Sequence, residues 1–222
     1  MINCPLCLEN RAQFFHEDQT RTYFRCATCN LTFVDRQQHL DPSAEKAEYD
    51  LHQNSPTDAS YRKFLTRLFD PMQARLPPNS CGLDFGSGPG PTLSIMFEEA
   101  GHSMAIYDPF YAPDETPLAS TFHFVTASEV VEHFRNPKKD LDRLWSCVRP
   151  GGLLGIMTKL ALDETAFGNW HYKDDQTHVS FFSRETLLWL SEKWDAKIAF
   201  VGQDVAIFTR NEISDPTINL KQ

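Results

Sequence analysis

Apolar side chains at Tyr61, Phe64, Leu65, Leu68 and Phe69 fall at i, i+3, i+4, i+7 and i+8, the stripe of a one-faced helix that Pro71 and the pair Pro77-Pro78 are expected to close. A short apolar segment through Leu83 and Phe85 then runs into Gly86-Ser87-Gly88-Pro89-Gly90-Pro91. Beyond it Leu93, Met96, Phe97 and Ala100 repeat the helical spacing until Gly101, so the stretch predicts strand, glycine turn and helix. Ser103 to Tyr107 and Phe122 to Ser128 predict further strands. Leu141, Leu144, Trp145 and Val148 mark a helix before a strand opened by Arg149-Pro150-Gly151-Gly152-Leu153-Leu154. Ala196 to Val201 and Val205 to Thr209 flank Gly202 as an apolar hairpin. Strands alternating with helices predict an α/β fold around a mainly parallel sheet.

The first 36 residues follow a different pattern: short strand-like runs at Phe14-Phe15, Tyr23-Phe24 and Leu31 to Val34, too few to bury a core unaided. Four cysteines compensate. Cys4-Pro-Leu-Cys7 and Cys26-Ala-Thr-Cys29 give C-x2-C-x18-C-x2-C, in which each C-x-x-C turn aims two sulfurs at one point and two turns supply four soft ligands for tetrahedral zinc. A rubredoxin-like iron site uses the same thiolates, and a disulfide pair is disfavoured in a reducing compartment. The segment resembles a zinc ribbon, a family that serves as a recognition module or as a structural prop. Cys81 and Cys147 fall in predicted core elements and read as buried thiols.

At 222 residues the chain accommodates one full α/β domain and a small appendage. No window approaches the ~18 apolar residues of a membrane span, and the polar start lacks the apolar stretch of a signal peptide, so a cytoplasmic address without a membrane partner is expected. Charge adds a further bound: 21 basic against 30 acidic residues, net -9, opposes adhesion to phosphate polymers. Residues 1–36 are balanced, so the deficit lies downstream. The basic face of the Tyr61 helix, Arg62, Lys63 and Arg67, reads as solvated surface.

The glycine turn carries the most chemistry. Glycines let backbone approach a ligand closely, and the helix start behind them presents unpaired amides. Asp108 ends the next strand 22 residues after Gly86, where a nucleoside-binding fold places a carboxylate on ribose. The dinucleotide pattern counted from Gly86 and Gly88 requires a small residue at 91, where Pro91 stands, which weakens a nicotinamide reading. Asp84, the G-x-G-x-G at Gly86, Gly88 and Gly90, and Asp108 instead resemble motifs I and II of the class I S-adenosylmethionine-dependent methyltransferases. The R-P-G-G turn, Glu129-Val130-Val131-Glu132-His133 and the closing hairpin extend the resemblance over residues 81–210, toward the ubiquinone-pathway O-methyltransferase-like group.

That resemblance implies a Rossmann-like sheet with a closing C-terminal hairpin and S-adenosylmethionine as cofactor. It places Asp84, Gly86, Ser87, Gly88 and Gly90 along the methionine end, Asp108, Pro109 and Phe110 by the nucleoside, and Ala127, Ser128 and Glu129 flanking the methionine portion. One departure stands out. Twenty proline-rich residues separate Asp108 from Glu129, so the usual third strand and its adenine-reading acid hardly fit, and Phe110 or Tyr111 is left to stack on the base.

Methyl transfer is an in-line displacement that needs alignment and, for a protic acceptor, a base. Glu129, Glu132 and His133 at i, i+3 and i+4 would cluster on one helical turn, and the resemblance implies a possible divalent cation there. Trp170-His171-Tyr172 and His178, in the run H-V-S-F-F-S, lie in a loop that borders the acceptor pocket in the resembled fold, making His178 and His171 the candidate bases. The organisation expected is a zinc ribbon at 1–36, a helical connector at 37–80 with a polar loop around Tyr49, His52 and Asn54, a methyltransferase domain at 81–210 and a tail at 211–222. A small-molecule acceptor, methylated on oxygen, carbon or nitrogen, fits the acidity. The alternatives are an RNA methyltransferase, with Arg135, Lys138, Lys139 and Arg143 near the active edge, and a non-catalytic zinc-dependent adaptor.

Overall fold

The computed structural model describes residues 2–51 and 54–212, so His52 and most of the 211–222 tail lie outside the described residues. The strands are β1 (Ala12–Glu17), β2 (Thr22–Cys26), β3 (Thr32–Val34), β4 (Cys81–Phe85), β5 (Ser103–Tyr107), β6 (Phe122–Ser128), β7 (Val148–Met157), β8 (Ser180–Phe181), β9 (Ala196–Val201) and β10 (Val205–Arg210). The helices are α1 (Pro42–Tyr49), α2 (Ala59–Gln73), α3 (Thr92–Glu99), α4 (Pro137–Ser146), α5 (Glu164–Gly168) and α6 (Arg184–Lys193). They form a six-stranded sheet of order β5-β4-β6-β7-β10-β9 and a four-stranded sheet of order β1-β2-β3-β8.

In the larger sheet β5, β4, β6 and β7 run parallel, while β10 is antiparallel to both β7 and β9. This is the Rossmann-like methyltransferase sheet with its closing hairpin. Period-2 alternation feeds two apolar layers. Leu153, Met157, Val205 and Ile207 meet Leu65, Leu68 and Met72 of α2 and Leu93, Met96 and Phe97 of α3. Leu154, Ile156, Ala206 and Phe208 meet Leu141 and Leu144 of α4 and Leu187 and Leu190 of α6. Gly155 lets α2 sit close: a Cβ there would lie 2.8 Å from Leu68 and Met72. Truncating the fully buried Leu68 to Ala would cost about 2–5 kcal/mol.

Three local readings differ from the sequence expectation. α2 passes through Pro71, because a proline in the last turn forfeits one hydrogen bond just before the helix ends at Ala74. Cys81 is exposed, since it is the first residue of β4, whereas Cys147 is buried. The R-P-G-G segment lies within β7 as an irregularity: Phe122 pairs with Val148 but Phe124 pairs with Leu153, with Gly151 at φ 72° taking up the extra chain. No strand forms between β5 and β6, as the proline-rich spacing predicts; an Asp108–Ala112 bridge and a short 3-10 turn at Thr116–Ala119 fill that span.

The smaller sheet joins the N-terminal segment to residues 180–181. β3 pairs with β8 through Thr32–Phe181 and Phe33–Ser180, and the ribbon residues Leu6, Leu31 and Phe33 are continuous with the main core. α1, absent from the sequence expectation, is capped by Asp41, whose Oδ1 accepts from Ser43 and Ala44. Its Glu45 pairs with Arg135 at 2.5 Å.

Candidate active site

The parallel strands deliver their carboxyl ends to one edge of the sheet, the usual position for ligands in an open α/β fold. Asp84 arrives there on β4 and is buried, its Oδ1 accepting from Thr126 Oγ1 at 2.8 Å and its Oδ2 from Ser94 Oγ at 3.3 Å. Burial pushes its carboxyl up to about 6 despite those hydrogen bonds. The turn that follows bends back on β5: the amides of Gly86 and Ser87 both donate to Tyr107 O, at 2.7 and 3.3 Å. Gly86 has φ 76°, and a Cβ there would sit 2.5 Å from Val130, so only glycine suits this position.

Asp108 anchors the other side of the turn. Its Oδ2 accepts from the Gly88 amide at 2.9 Å, and its Oδ1 from Phe110 and Tyr111 at 2.8 and 3.0 Å. A carboxylate offers about four lone-pair sites, so one on Oδ2 is left for a ligand hydroxyl. Above this corner Phe110 packs against Tyr49 of α1 with centroids 5.6 Å apart, and Tyr111 donates to Asp50 at 2.6 Å. Pro109 is exposed, Ala127 is buried inside β6 and Ser128 closes that strand. The Asn54 carbonyl lies where a Cβ on Gly90 would be, which brings the segment after α1 directly onto the turn. Ser87 Oγ is buried here with no protein partner, an orphaned polar atom of the kind a polar ligand satisfies.

Past the end of β6 stands a second group, built around Tyr172. Its hydroxyl makes a short hydrogen bond to Glu132 Oε1 and lies 3.3 Å from both Glu129 Oε2 and Thr158 Oγ1. Burial raises both carboxyls above the ordinary range, and Glu129's charge raises Glu132 further. Glu129 has φ 53°, in the left-handed region, and its Oε1 and Glu132 Oε2 are buried without partners. His178 is buried; its Nδ1 lies 2.7 Å from the Tyr172 carbonyl, which assigns the proton to Nδ1 and the lone pair to Nε2. Burial lowers its pKa, against the charge of Asp175, whose Oδ2 lies 3.7 Å from Nε2.

The sequence expected Glu129, Glu132 and His133 to gather on one helical turn. Glu129 falls before that turn, a 3-10 segment of Val131–His133, and points instead to Tyr172 with Glu132. Among the described residues the trio that offers ligand atoms within 4.8 Å is Glu132, His133 and His178. His133 packs edge-on against Tyr49 at 5.2 Å, while its Nδ1 lies 3.2 Å from Thr177 O. His171 is exposed and its Nε2 accepts from Lys159 at 3.0 Å, outside this group. Thr126, Thr158 and Lys159 escaped the sequence reading because single strand-end residues carry no pattern.

The ribbon cysteines converge as their spacing predicts. Cys4–Cys29 and Cys7–Cys26 sulfurs are 3.5 Å apart and all four lie within 4.8 Å of one another. A tetrahedral zinc with bonds of about 2.3 Å would set sulfurs about 3.8 Å apart, so the donor set fits. Each knuckle also ends alike, with Leu8 and Asn30 at φ 65° and 58°, and with amides of Leu6 and Thr28 donating to Cys4 and Cys26 sulfur.

Residues 51–199 match a family described as a methyltransferase domain. The chain belongs to the S-adenosylmethionine-dependent methyltransferases. This methyltransferase resembles an O-methyltransferase family protein from Burkholderia thailandensis with TM-score 0.54 and 13% identity over 79% of this chain; it spans 61% of that protein's length. It is also similar to 1,6-didemethyltoxoflavin-N1-methyltransferase from Burkholderia thailandensis, with TM-score 0.48, 14% identity, and coverage of 91% and 100% of the two chains. A further similar structure is a SAM-dependent methyltransferase from Archaeoglobus fulgidus, with TM-score 0.49, 16% identity, and coverage of 69% and 95%. These likenesses are of fold. No curated protein matches the sequence significantly. Among the described residues no helix of the methyltransferase is long and apolar enough to cross a membrane.

Proposed function

We propose that this methyltransferase moves the methyl group of S-adenosylmethionine to an oxygen, nitrogen or carbon nucleophile of a small molecule. The donor supplies an electrophilic methyl on a sulfonium. Asp84, Gly86, Ser87, Gly88, Gly90 and Asp108 hold it, with Asp84 facing the ammonium of the methionine end and Asp108 the ribose. Pro109, Phe110, Ala127, Ser128 and Glu129 complete its walls, and Phe110 with Tyr49 covers the base. His178 takes the acceptor's proton on Nε2 and Asp175 stabilises the imidazolium that results. Residues 1–36 form a zinc ribbon on Cys4, Cys7, Cys26 and Cys29, 37–80 a connector that covers the cleft, and 81–210 the catalytic domain.

The observation that carries this reading is the shared sheet edge. Asp84 lies on β4 and Asp108 just past β5, while Glu129, directly after the neighbouring β6, is bonded to Tyr172, whose carbonyl holds His178; this supports a donor and a base gathered at the carboxyl ends of adjacent strands. Against an RNA acceptor, the basic cluster is largely neutralised in place: Arg135 pairs with Glu45, Lys138 with Asp142 and Arg143 with Glu115. The Glu132–His133–His178 trio favours a second reading in which a divalent ion assists deprotonation of an acceptor hydroxyl.

Calorimetry with S-adenosylhomocysteine tests the core of the proposal, with one site per chain expected and lost in Asp108→Ala. Absence of heat in the native protein would leave the adaptor reading. Magnesium dependence of turnover, absent if His178 alone is the base, separates the two readings of the trio.

A further inference from the structure

A cavity of about 940 Å³ lies between the ribbon, the segment after β7, the start of α6 and the β9–β10 turn. That is room for a drug-sized molecule. Besides Arg67, which pairs with Asp204, three cations line it: Arg25 from the ribbon, Lys159 after β7 and Arg184 at the first position of α6. In a chain with net charge -9, none of the three lies within 4.0 Å of a carboxylate among the described residues.

Each charge lies against an aromatic face, and Lys159 also donates to His171. The Arg25 guanidinium lies 3.6 Å from the Phe15 centroid and donates to Thr32 Oγ1 and Leu162 O, at 2.9 and 2.7 Å. Arg184 lies 3.8 Å from the Phe200 centroid, and Lys159 lies 5.0 Å from that of Tyr172. Such stacking positions a cation without neutralising it. Of the three acids that line the cavity, Asp204 is engaged by Arg67 and Asp163 caps α5, its Oδ1 accepting from Ala166 at 2.9 Å. Asp163 and Glu185 keep their charges and act on Arg25 together with Glu164, so the positive charge left for a ligand is that of Lys159 and Arg184.

The cavity also adjoins the reacting centre. Lys159 stands over Tyr172, and the Glu129 carboxyl feels the charges of Lys159, Arg67 and Asp204. We infer that this groove anchors the methyl acceptor by an oxyanion, a phosphate or carboxylate group held by Lys159 and Arg184 while the nucleophile reaches toward Glu129 and His178. The inference rests on the methyltransferase reading and adds the acceptor's chemical class. In a chain of net charge -9 a localised cationic cavity suits an acidic small molecule rather than a polymer needing an extended basic track.

The test uses the full zinc-loaded chain saturated with S-adenosylhomocysteine and two probes, inorganic pyrophosphate and succinate, which distinguish phosphate from carboxylate. At least one is expected to bind saturably at a single site at low salt, with affinity reduced tenfold or more in Lys159→Ala/Arg184→Ala and S-adenosylhomocysteine affinity unchanged. Arg25 is left intact because its hydrogen bonds support the ribbon. Failure of both probes to saturate, or equal binding to the double variant, overturns the inference. Retention of a single-stranded RNA oligonucleotide that the same variant abolishes also overturns it, by giving the groove to a polymer. Loss of S-adenosylhomocysteine binding in the native chain, with pyrophosphate still bound, would reject the cofactor reading and with it the acceptor role.

Discussion

Arg21, in the turn between β1 and β2, places its Nη1 2.9 Å from the carbonyl oxygen of His178, 157 residues further along the chain. The guanidinium is buried and donates also to the carbonyls of Gln176 at 3.3 Å, Asp175 at 3.0 Å and Lys173. A single ribbon side chain thereby gathers four carbonyls of the loop that carries Tyr172 and His178. With the β3–β8 pairing, it makes the ribbon part of the framework of the Tyr172–His178 loop.

Arg21→Lys keeps the charge but loses the fork that reaches several carbonyls. Turnover is expected to fall about 10- to 100-fold, the effect of a displaced base, while S-adenosylhomocysteine affinity stays within about threefold. Steady-state methyl transfer and calorimetry on the same preparation check this. Partial rescue of Arg21→Gly by free guanidinium would tie the loss to the clamp; equal loss of cofactor binding would count against it.

Asp84 gives the pH dependence its sign. Its folded pKa of about 6 lies above the ordinary 3.8, so the empty protein favours the protonated carboxyl, and that stabilising contribution, present below about 4, is lost as pH rises through 6. A ligand ammonium needs the ionised form. S-adenosylmethionine affinity is therefore expected to rise from pH 5 to pH 7 and level off above, by about tenfold per pH unit below the transition. Asp84→Asn should remove this slope and weaken binding by about 10- to 100-fold, the worth of a charged hydrogen bond. A flat affinity profile in the native protein would contradict the assignment.

Zinc removal separates the two sheets' roles. Elemental analysis is expected to return one zinc per chain, and none in Cys29→Ser. Chelation should abolish methyl transfer by releasing the loop held by Arg21 and β3, while the glycine turn, built on β4 and β5, retains most of its cofactor affinity. Cofactor binding that disappears in step with zinc would refute this division.

Tyr172→Phe deletes the hydroxyl shared by Glu129, Glu132 and Thr158. Leaving buried carboxyls short of a partner costs about 1–3 kcal/mol, a fall of about 2–12 °C in melting temperature for a domain of this size. Differential scanning calorimetry reads it directly. His178→Ala should instead lower turnover about 100- to 10,000-fold, with cofactor affinity intact.

The sequence by itself determined the α/β sheet, the glycine turn with Asp84 and Asp108, and the four-sulfur cluster, because each is written in local spacing: period-2 and period-3.6 apolar repeats, glycine where the chain must turn back, and paired C-x-x-C knuckles. The missing strand between β5 and β6 was legible too, as twenty residues leave no room for it. Tertiary structure alone decided that Glu129 joins Glu132 on Tyr172 while His133 turns to His178, that β3 extends onto β8, and that Arg21 grips the loop of Tyr172 and His178. Those contacts join residues about 40 to 157 positions apart, and a hydrogen bond across such a distance depends on how two packed sheets bring their edges together, which no local repeat encodes.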